Sequence, residues 1–278
     1  MNERRKDLTA ERTILRYEKG TFKTVRDQVT PERSLHIEVN GKRLISLLCS
    51  PVQQKELAVG FLYSEGFLDA SDQIREIDLR EAEDRILLEL SGVTINMEER
   101  VKSITLTSGC GRGAILCDVM DRLTEPKVSG SVRMAPEQIL ERMKALQKCS
   151  ATYLSTGGTH SAAVTNGEAI IMFAEDIGRH NAVDKVLGAC LLAGIPVTDK
   201  ALMASGRISS EIILKVARSG VPILVTRSAA TDQVVGIAET VGITLVGFAR
   251  GQRMNIYTCP QRIIGDGDCQ GIENMPVT

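Results

Sequence analysis

Between residues 159 and 248 the chain repeats a short apolar run, a polar turn and an amphipathic stretch, and this alternation constrains the fold more than any other feature. The spacing predicts strands over 159–164 and 168–173, joined at Asn166-Gly167, and then a helix over 179–193. It continues as a strand at 201–204, a helix at 209–218, a strand at 222–226, a helix at 231–241 and a strand at 243–248. A further helix is expected over 136–147. Helices set between short apolar strands imply a largely parallel sheet covered on both faces, and the hairpin at its start makes the sheet mixed. The expectation is a three-layer α/β/α domain.

The amino-terminal part has a different texture. Residues 34–39 and 43–48 alternate apolar and polar side chains around Asn40-Gly41, a strong hairpin turn signal. A second hairpin is expected at Ser91-Gly92, between 85–90 and 93–97. Between the two, residues 53–64 carry Leu57, Phe61 and Leu62 at helical spacing, and Gly66 is placed to stop that helix. The expected division is therefore a smaller strand-rich α+β domain over 1–130 and the α/β/α domain over 131–278, linked at 125–131. A chain of 278 residues with 43% hydrophobic content can bury one large core or two modest ones. Its formal net charge of −1 gives no general field for drawing in nucleic acid or an anionic membrane. No apolar run approaches the ~18 residues of a membrane span, and the start Met1-Asn2-Glu3-Arg4-Arg5-Lys6-Asp7 lacks the apolar stretch of a signal peptide, so the chain reads as cytoplasmic.

Polar residues break the pattern at strand ends, where open α/β sheets place their ligands. The densest case is Glu175-Asp176-Ile177-Gly178-Arg179-His180-Asn181-Ala182-Val183-Asp184-Lys185, which follows the strand expected to end near 173. Two readings stand: a site at the strand end, or a helix start whose acids complement the helix dipole and whose Arg179 and Asp184 form surface pairs. Ser205-Gly206-Arg207, Thr226-Arg227-Ser228 and Ala249-Arg250-Gly251-Gln252-Arg253 then bring an arginine to each of three neighbouring strand ends. Taken singly, each is an exposed loop arginine. Together, with glycines that let backbone amides approach and guanidinium forks that hold phosphate, they point to a phosphorylated or nucleotide-like ligand.

Seven cysteines, an odd number without paired CxxC spacing, argue against both a disulfide framework and a structural zinc site. Cys49 and Cys190 fall in apolar runs and are expected in the core. Cys110 stands apart in Thr107-Ser108-Gly109-Cys110-Gly111-Arg112-Gly113, between an apolar strand at 103–106 and a helix expected over 114–123. A helix amino terminus and Arg112 would both stabilise the thiolate, whereas Cys117 beside Leu116 reads as core. Whether Cys110 is a nucleophile or a turn residue without chemistry is left open by the spacing alone.

At this point the sequence resembles a known family, the formate dehydrogenase accessory sulfurtransferases of the FdhD/NarQ type. The resemblance is carried by Thr107 to Gly113, Thr156-Gly157-Gly158-Thr159-His160, Glu175 to Lys185 and Ser205-Gly206-Arg207-Ile208-Ser209-Ser210-Glu211. It continues through Val225-Thr226-Arg227-Ser228-Ala229, Gly247 to Arg253 and Asn255-Ile256-Tyr257-Thr258, so it spans nearly all of the chain after the first hundred residues.

The resemblance implies a cytidine-deaminase-like α/β/α domain with a smaller accessory domain, and a homodimer. It also implies that sulfur from a cysteine desulfurase is received as a persulfide on Cys110. That sulfur is passed to the molybdenum bis-guanine dinucleotide cofactor for formate dehydrogenase. The cofactor-binding segment of the family falls on Phe248-Ala249-Arg250-Gly251-Gln252-Arg253, the last arginine-bearing strand end, where a GDP-like guanine nucleotide would bind. The family pattern is CxxC, and Gly113 stands at the second cysteine here, so a single-thiol route is expected unless Cys117 substitutes. Zinc deaminases share such a sheet but use His-x-Glu and PCxxC motifs. His160 is followed by Ser161-Ala162 and no PCxxC occurs, so no metal is expected, and His160 and His180 are read as hydrogen-bonding groups of the pocket. The rival function is a chaperone that delivers the guanine-dinucleotide cofactor without sulfur transfer, and a plainer one is a nucleotide-binding regulator.

Overall fold

The computed structural model describes residues 9–92, 128 and 132–263, together with the backbone at 105–106 and 113–114. The first two strands, β1 (Ala10–Glu18) and β2 (Thr21–Val29), pair as an antiparallel hairpin and, among the described residues, with no other strand.

The next unit is a four-stranded sheet. It contains β3 (Arg33–Val39), β4 (Lys42–Cys49), β5 (Ile74–Arg80) and β6 (Arg85–Leu90), in the order β4-β3-β6-β5. Asn40 and Gly41 both take positive φ, 49° and 73°, as the tight turn between β3 and β4 requires. Helix α1 (Gln54–Glu65) covers this sheet and stops at Gly66, whose φ of 78° closes the last turn. Leu35, Ile37 and Val39 alternate inward to meet Leu57, Ala58 and Leu62, and Cys49 lies in the same core, as its apolar run implied. The hairpin expected at Ser91-Gly92 is corrected. Both edges of β6 are occupied, by β5 antiparallel and β3 parallel, so its antiparallel partner precedes it; residues 93–97 lie outside the described residues.

Thr105–Leu106 (β7) and Gly113–Ala114 (β8) pair antiparallel, with Leu106 opposite Gly113. The helix expected over 114–123 therefore does not begin at Ala114, which is held in this ladder, and the rest of that span lies outside the described residues. The expected link at 125–131 is described only at Val128, whose N–H donates to Val241 O and whose carbonyl accepts from Arg262. The expected domain boundary falls in the same undescribed span.

The remaining elements are α2 (Pro136–Cys149), α3 (Ala151–Thr156), β9 (His160–Thr165), β10 (Ile170–Asp176), α4 (Arg179–Leu192) and β11 (Ala201–Ala204). They are followed by α5 (Ser210–Arg218), β12 (Ile223–Thr226), α6 (Asp232–Val241), β13 (Thr244–Arg250) and β14 (Arg253–Ile256). Six strands form one mixed sheet, ordered β10-β9-β11-β12-β13-β14, in which β11, β12 and β13 run parallel. Strand alternation sends Leu202 and Ala204 to one face with α4, α5 and α6, while Ala201 and Met203 go to the other with α2. Helix α2 shows why it sits there: Ile139, Met143 and Leu146 recur at helical spacing and are buried. The three-layer α/β/α architecture is the one the alternation implied.

Helix α1 also packs against α4, and two glycines set the distance. A Cβ on Gly60 would fall 1.8 Å from Asp184 O, and one on Gly188 would fall 2.0 Å from Glu56 O. The four-stranded sheet is thereby held against the second unit through backbone contact. Among the described residues no helix is long and apolar enough to cross a membrane.

Candidate functional site

Strand β9 runs antiparallel to both β10 and β11, so β10 points the same way as β11, β12 and β13. The carboxyl ends of four strands and the starts of β9 and β14 consequently meet along one edge of the sheet. His160 opens β9 opposite Asp176, which closes β10, and Ala204 of β11 lies beside Thr226 of β12. At the far end Arg250 faces Arg253 across Gly251-Gln252.

This edge collects the arginines singled out in the sequence. Arg207, Arg227, Arg250 and Arg253 are exposed, and Arg179, in the first turn of α4, is half-buried. None of the five forms an ion pair among the described residues, whereas Arg16, Arg26, Arg80 and Arg218 elsewhere each reach an acid. A run of guanidiniums without acid partners among the described residues could hold an anion along this edge.

The β13–β14 hairpin has the most specific geometry. Phe248 holds a φ of 52°, uncommon for a bulky side chain, and a register shift between Gly247 and Arg250 bends the strand there. The strained residue is pinned by its N–H, which donates to Ser228 O at 2.9 Å. The Arg250 guanidinium lies 5.6 Å from the centre of the Phe248 ring. Ala249 turns its side chain into the core beneath α2, while Arg250, Gly251, Gln252 and Arg253 stay in solvent.

The block Glu175 to Lys185 divides into two roles. Asp176 and Lys185 are fully buried and bonded to each other at 2.7 Å. Asp176 also accepts from Ser50 N, Gly178 N and Asn181 Nδ2, and Lys185 donates to the carbonyls of Ser50 and Glu175. Glu175 accepts from Thr152 N, Tyr153 N and Thr159 Oγ1. Asp184 is buried too, held by Ser64 Oγ at 2.7 Å and by Lys215 Nζ at 3.0 Å to each oxygen, so the surface pair that a plain helix start would give it does not form. Burial raises the Asp184 pKa, against the pull of Lys215 and Ser64. For Lys215 burial alone would lower the pKa, but Asp184 and Glu65 outweigh it and hold it above its ordinary value. Asp176, Lys185, Asp184 and Lys215 thus join the two units through Ser50, Ser64 and Glu65, while Glu175 ties the start of α3 to β10.

Arg179 and His180 remain at the edge. His180 Nε2 lies 2.8 Å from Glu211 Oε2 and 3.1 Å from Ser209 Oγ, in line with its reading as a hydrogen-bonding group. His160 is kept below its ordinary pKa by burial first and then by the charges of Arg179 and His180, against the opposing pull of Asp176. Gly206 floors this corner: a Cβ there would fall 3.1 Å from Arg179 Cβ and 3.3 Å from His160 Nδ1. Ser209 and Ser228 lie inside polar stretches that the sequence marks, whereas the hydrogen-bonding partners Ser50 and Ser64 give no signal there, because nothing in their own surroundings distinguishes them. Cys110, Arg112 and Cys117 lie outside the described residues. Cys190 sits in the core, and burial pushes its thiol up to about 11, opposite to what an activated thiol needs.

Comparison with known proteins agrees with the architecture. A model of the FdhD/NarQ family matches residues 30–264. Sulfur carrier protein FdhD of Bacillus subtilis (strain 168) is 37% identical over 257 residues, covering 92% of this chain and 98% of the relative. The protein of the same name from Listeria monocytogenes serotype 4b (strain F2365) is 38% identical over 260 residues, covering 92% and 99%. The crystal structure of a candidate formate dehydrogenase accessory protein from Desulfotalea psychrophila superposes with a TM-score of 0.75 at 24% identity, over 92% of this chain and 100% of that one, a likeness of fold. By the extent of the family match and the identity to these relatives, the chain belongs to the FdhD/NarQ family.

Proposed function

We propose that this protein is a sulfur carrier that serves formate dehydrogenase, taking sulfur from a cysteine desulfurase on Cys110 and delivering it to a molybdenum bis-guanine dinucleotide cofactor held as cargo. The names of the relatives support the sulfur-carrier part of this reading. The observation that carries the cargo part is the row of Arg207, Arg227, Arg250 and Arg253, exposed and without acid partners among the described residues. Diphosphate groups of a guanine dinucleotide are the kind of anion that such forks hold with paired hydrogen bonds. The pinned Phe248 fixes the hairpin from which Arg250 projects, so the ligand would meet a formed surface.

The transfer itself balances without an outside oxidant. The Cys110 thiolate attacks the terminal sulfur of the donor persulfide, a new S–S bond forms as the donor's S–S bond breaks, and the donor cysteine leaves as a thiolate. The result is Cys110 bearing one added sulfur. Gly113 stands where a second thiol would release that sulfur by forming a disulfide, so release falls to the acceptor.

The test is mass spectrometry of the purified protein after incubation with cysteine and a cysteine desulfurase, with Cys110→Ala alongside. A sulfur-sized gain that maps to Cys110 and vanishes in the variant is expected. Gly113 favours one alternative, a chaperone that binds and delivers the cofactor without sulfur transfer. That alternative is the conclusion if Cys110 gains nothing while guanine nucleotide still binds.

A further inference from the structure

The corner of the edge around His160 and Arg179 is separated from the Arg250–Arg253 hairpin by β11 and β12. At ordinary strand spacing the start of β9 and the end of β13 are three intervals apart, roughly 14 Å. At that separation the two places can engage different parts of one extended ligand. On the reading that the edge takes a phosphorylated ligand, we propose that Arg179 and His160 form a second phosphate subsite, which grips a diphosphate group while the hairpin holds another part of the same ligand.

Four observations support this. Arg179 forms no ion pair among the described residues, and the carboxylates that flank it in the sequence and on α5 are engaged elsewhere. Asp176 is held by Lys185, Asn181 and two backbone N–H groups, Glu175 by Thr159 and the start of α3, and Glu211 by His180. The Nε of Arg179 is buried without a hydrogen-bond partner among the described residues, a cost that a bound acceptor would offset. Gly206 leaves room for both side chains to lie over the end of β11, since any Cβ would crowd Arg179 and His160 together. His160 is half-buried between Arg179, His180 and Asp176, and it is kept short of charge by burial and by its cationic neighbours. As a neutral imidazole it can donate one hydrogen bond to a phosphate oxygen, and an arriving anion favours its protonated form.

Isothermal titration with inorganic pyrophosphate and, separately, with GDP tests the proposal on the full chain. Pyrophosphate is small enough to report one subsite. The pyrophosphate titrations are made in the background Arg250→Ala with Arg253→Ala, which removes anion binding at the hairpin, and there Arg179→Gln is expected to weaken pyrophosphate by about tenfold, as the loss of one charge-assisted contact pair. GDP is expected to weaken in the hairpin variant. Equal pyrophosphate affinity with and without Arg179→Gln in that background, or no pyrophosphate binding in the background itself, would overturn the subsite. Pyrophosphate bound through Arg179 with no GDP bound at all would leave the subsite standing and remove the nucleotide cargo from the function proposed above. Thermal melting checks that each variant is folded. Should Arg179→Gln not fold, Arg179→Lys, which keeps the charge but loses the fork, is expected to weaken pyrophosphate by about threefold, and unchanged affinity there would count against the subsite.

Discussion

Asp176 and Lys185 bond at 2.7 Å with both side chains sealed from solvent, and they do so at the seam where Ser50 of the four-stranded unit meets the start of α4. The pair is the structural centre of the most distinctive polar block in the sequence. Losing one member of a buried pair strands the other, at a cost of about 3–5 kcal/mol. Asp176→Asn puts an amide donor against groups that already donate, so Lys185 is left without a counter-charge. In Lys185→Met, Asp176 still accepts from Ser50 N, Gly178 N and Asn181. Denaturant unfolding should therefore show the larger loss for Asp176→Asn. The reverse order would mean that the lysine, not the carboxylate, organises the seam.

The contact between α1 and α4 is set by glycine, and two effects of opposite sign compete there. Replacing Gly60 or Gly188 by Ala raises helix propensity by about 1 kcal/mol. The added Cβ would meet backbone at 1.8 Å and 2.0 Å respectively, and backbone cannot swing aside. Overpacking costs about 1–3 kcal/mol and rises when helices must separate, so steric cost wins. Either variant is expected to lower the unfolding midpoint, and a rise in stability would show that the helices part easily.

Much of this was legible in the sequence, for physical reasons that also explain the rest. The strands and helices from His160 to Arg250 follow from hydrophobic period, and Ala201–Ala204 falls where the pattern put it, whereas β14, four residues with apolar side chains at two positions, is too short and too exposed to show a period. The β1–β2 hairpin was missed because Leu15, Tyr17 and Phe22 lie exposed among charges, so no alternation of buried and exposed residues marks it. Short α3 lacks the length to show a period; its start is instead sealed by Glu175, more than twenty residues later. The polar block at the end of β10 stands out in the sequence by its density of charged side chains. Its division into buried seam and exposed edge depended on Ser50, Ser64 and Lys215, whose nearness to it is created only by folding.

Lys215 makes a prediction at alkaline pH. Its ammonium lies 2.7 Å from Glu65 and 3.0 Å from Asp184, and its pKa is raised above the ordinary 10.5. A raised folded-state value means that the folded protein keeps a proton which the unfolded chain gives up. The stabilisation is therefore complete below 10.5 and is lost as pH climbs from there through the folded value. Within that window the wild type should lose up to about 1.4 kcal/mol per pH unit from this group. Lys215→Met should lack that component, and parallel alkaline curves for the two proteins would contradict the assignment.

The hairpin arginines predict a salt signature. Exposed guanidiniums that hold an anion are screened by added salt, so GDP affinity should fall as ionic strength rises. In Arg250→Ala with Arg253→Ala the affinity should be lower and its dependence on salt shallower, measured by the same titration at about 50 and 300 mM salt. A variant that is weaker but equally salt-sensitive would place the charge contacts at other residues of the edge.

His160 reports on Arg179 directly. Burial, Arg179 and His180 all lower its pKa below 6.5, while Asp176 pulls the other way. Removing the Arg179 charge by Arg179→Gln takes away one lowering influence and leaves burial in place, so the value should rise toward 6.5 without reaching it. An imidazole NMR titration of both proteins measures this without any ligand. The sign also fixes a stability effect. The unfolded chain binds this proton at a higher pH than the folded protein does, so stability falls as pH drops from 6.5 through the folded value. That window should narrow in Arg179→Gln. If the His160 titration does not move, Arg179 exerts no field on the imidazole, and the two side chains do not act as one corner of the edge.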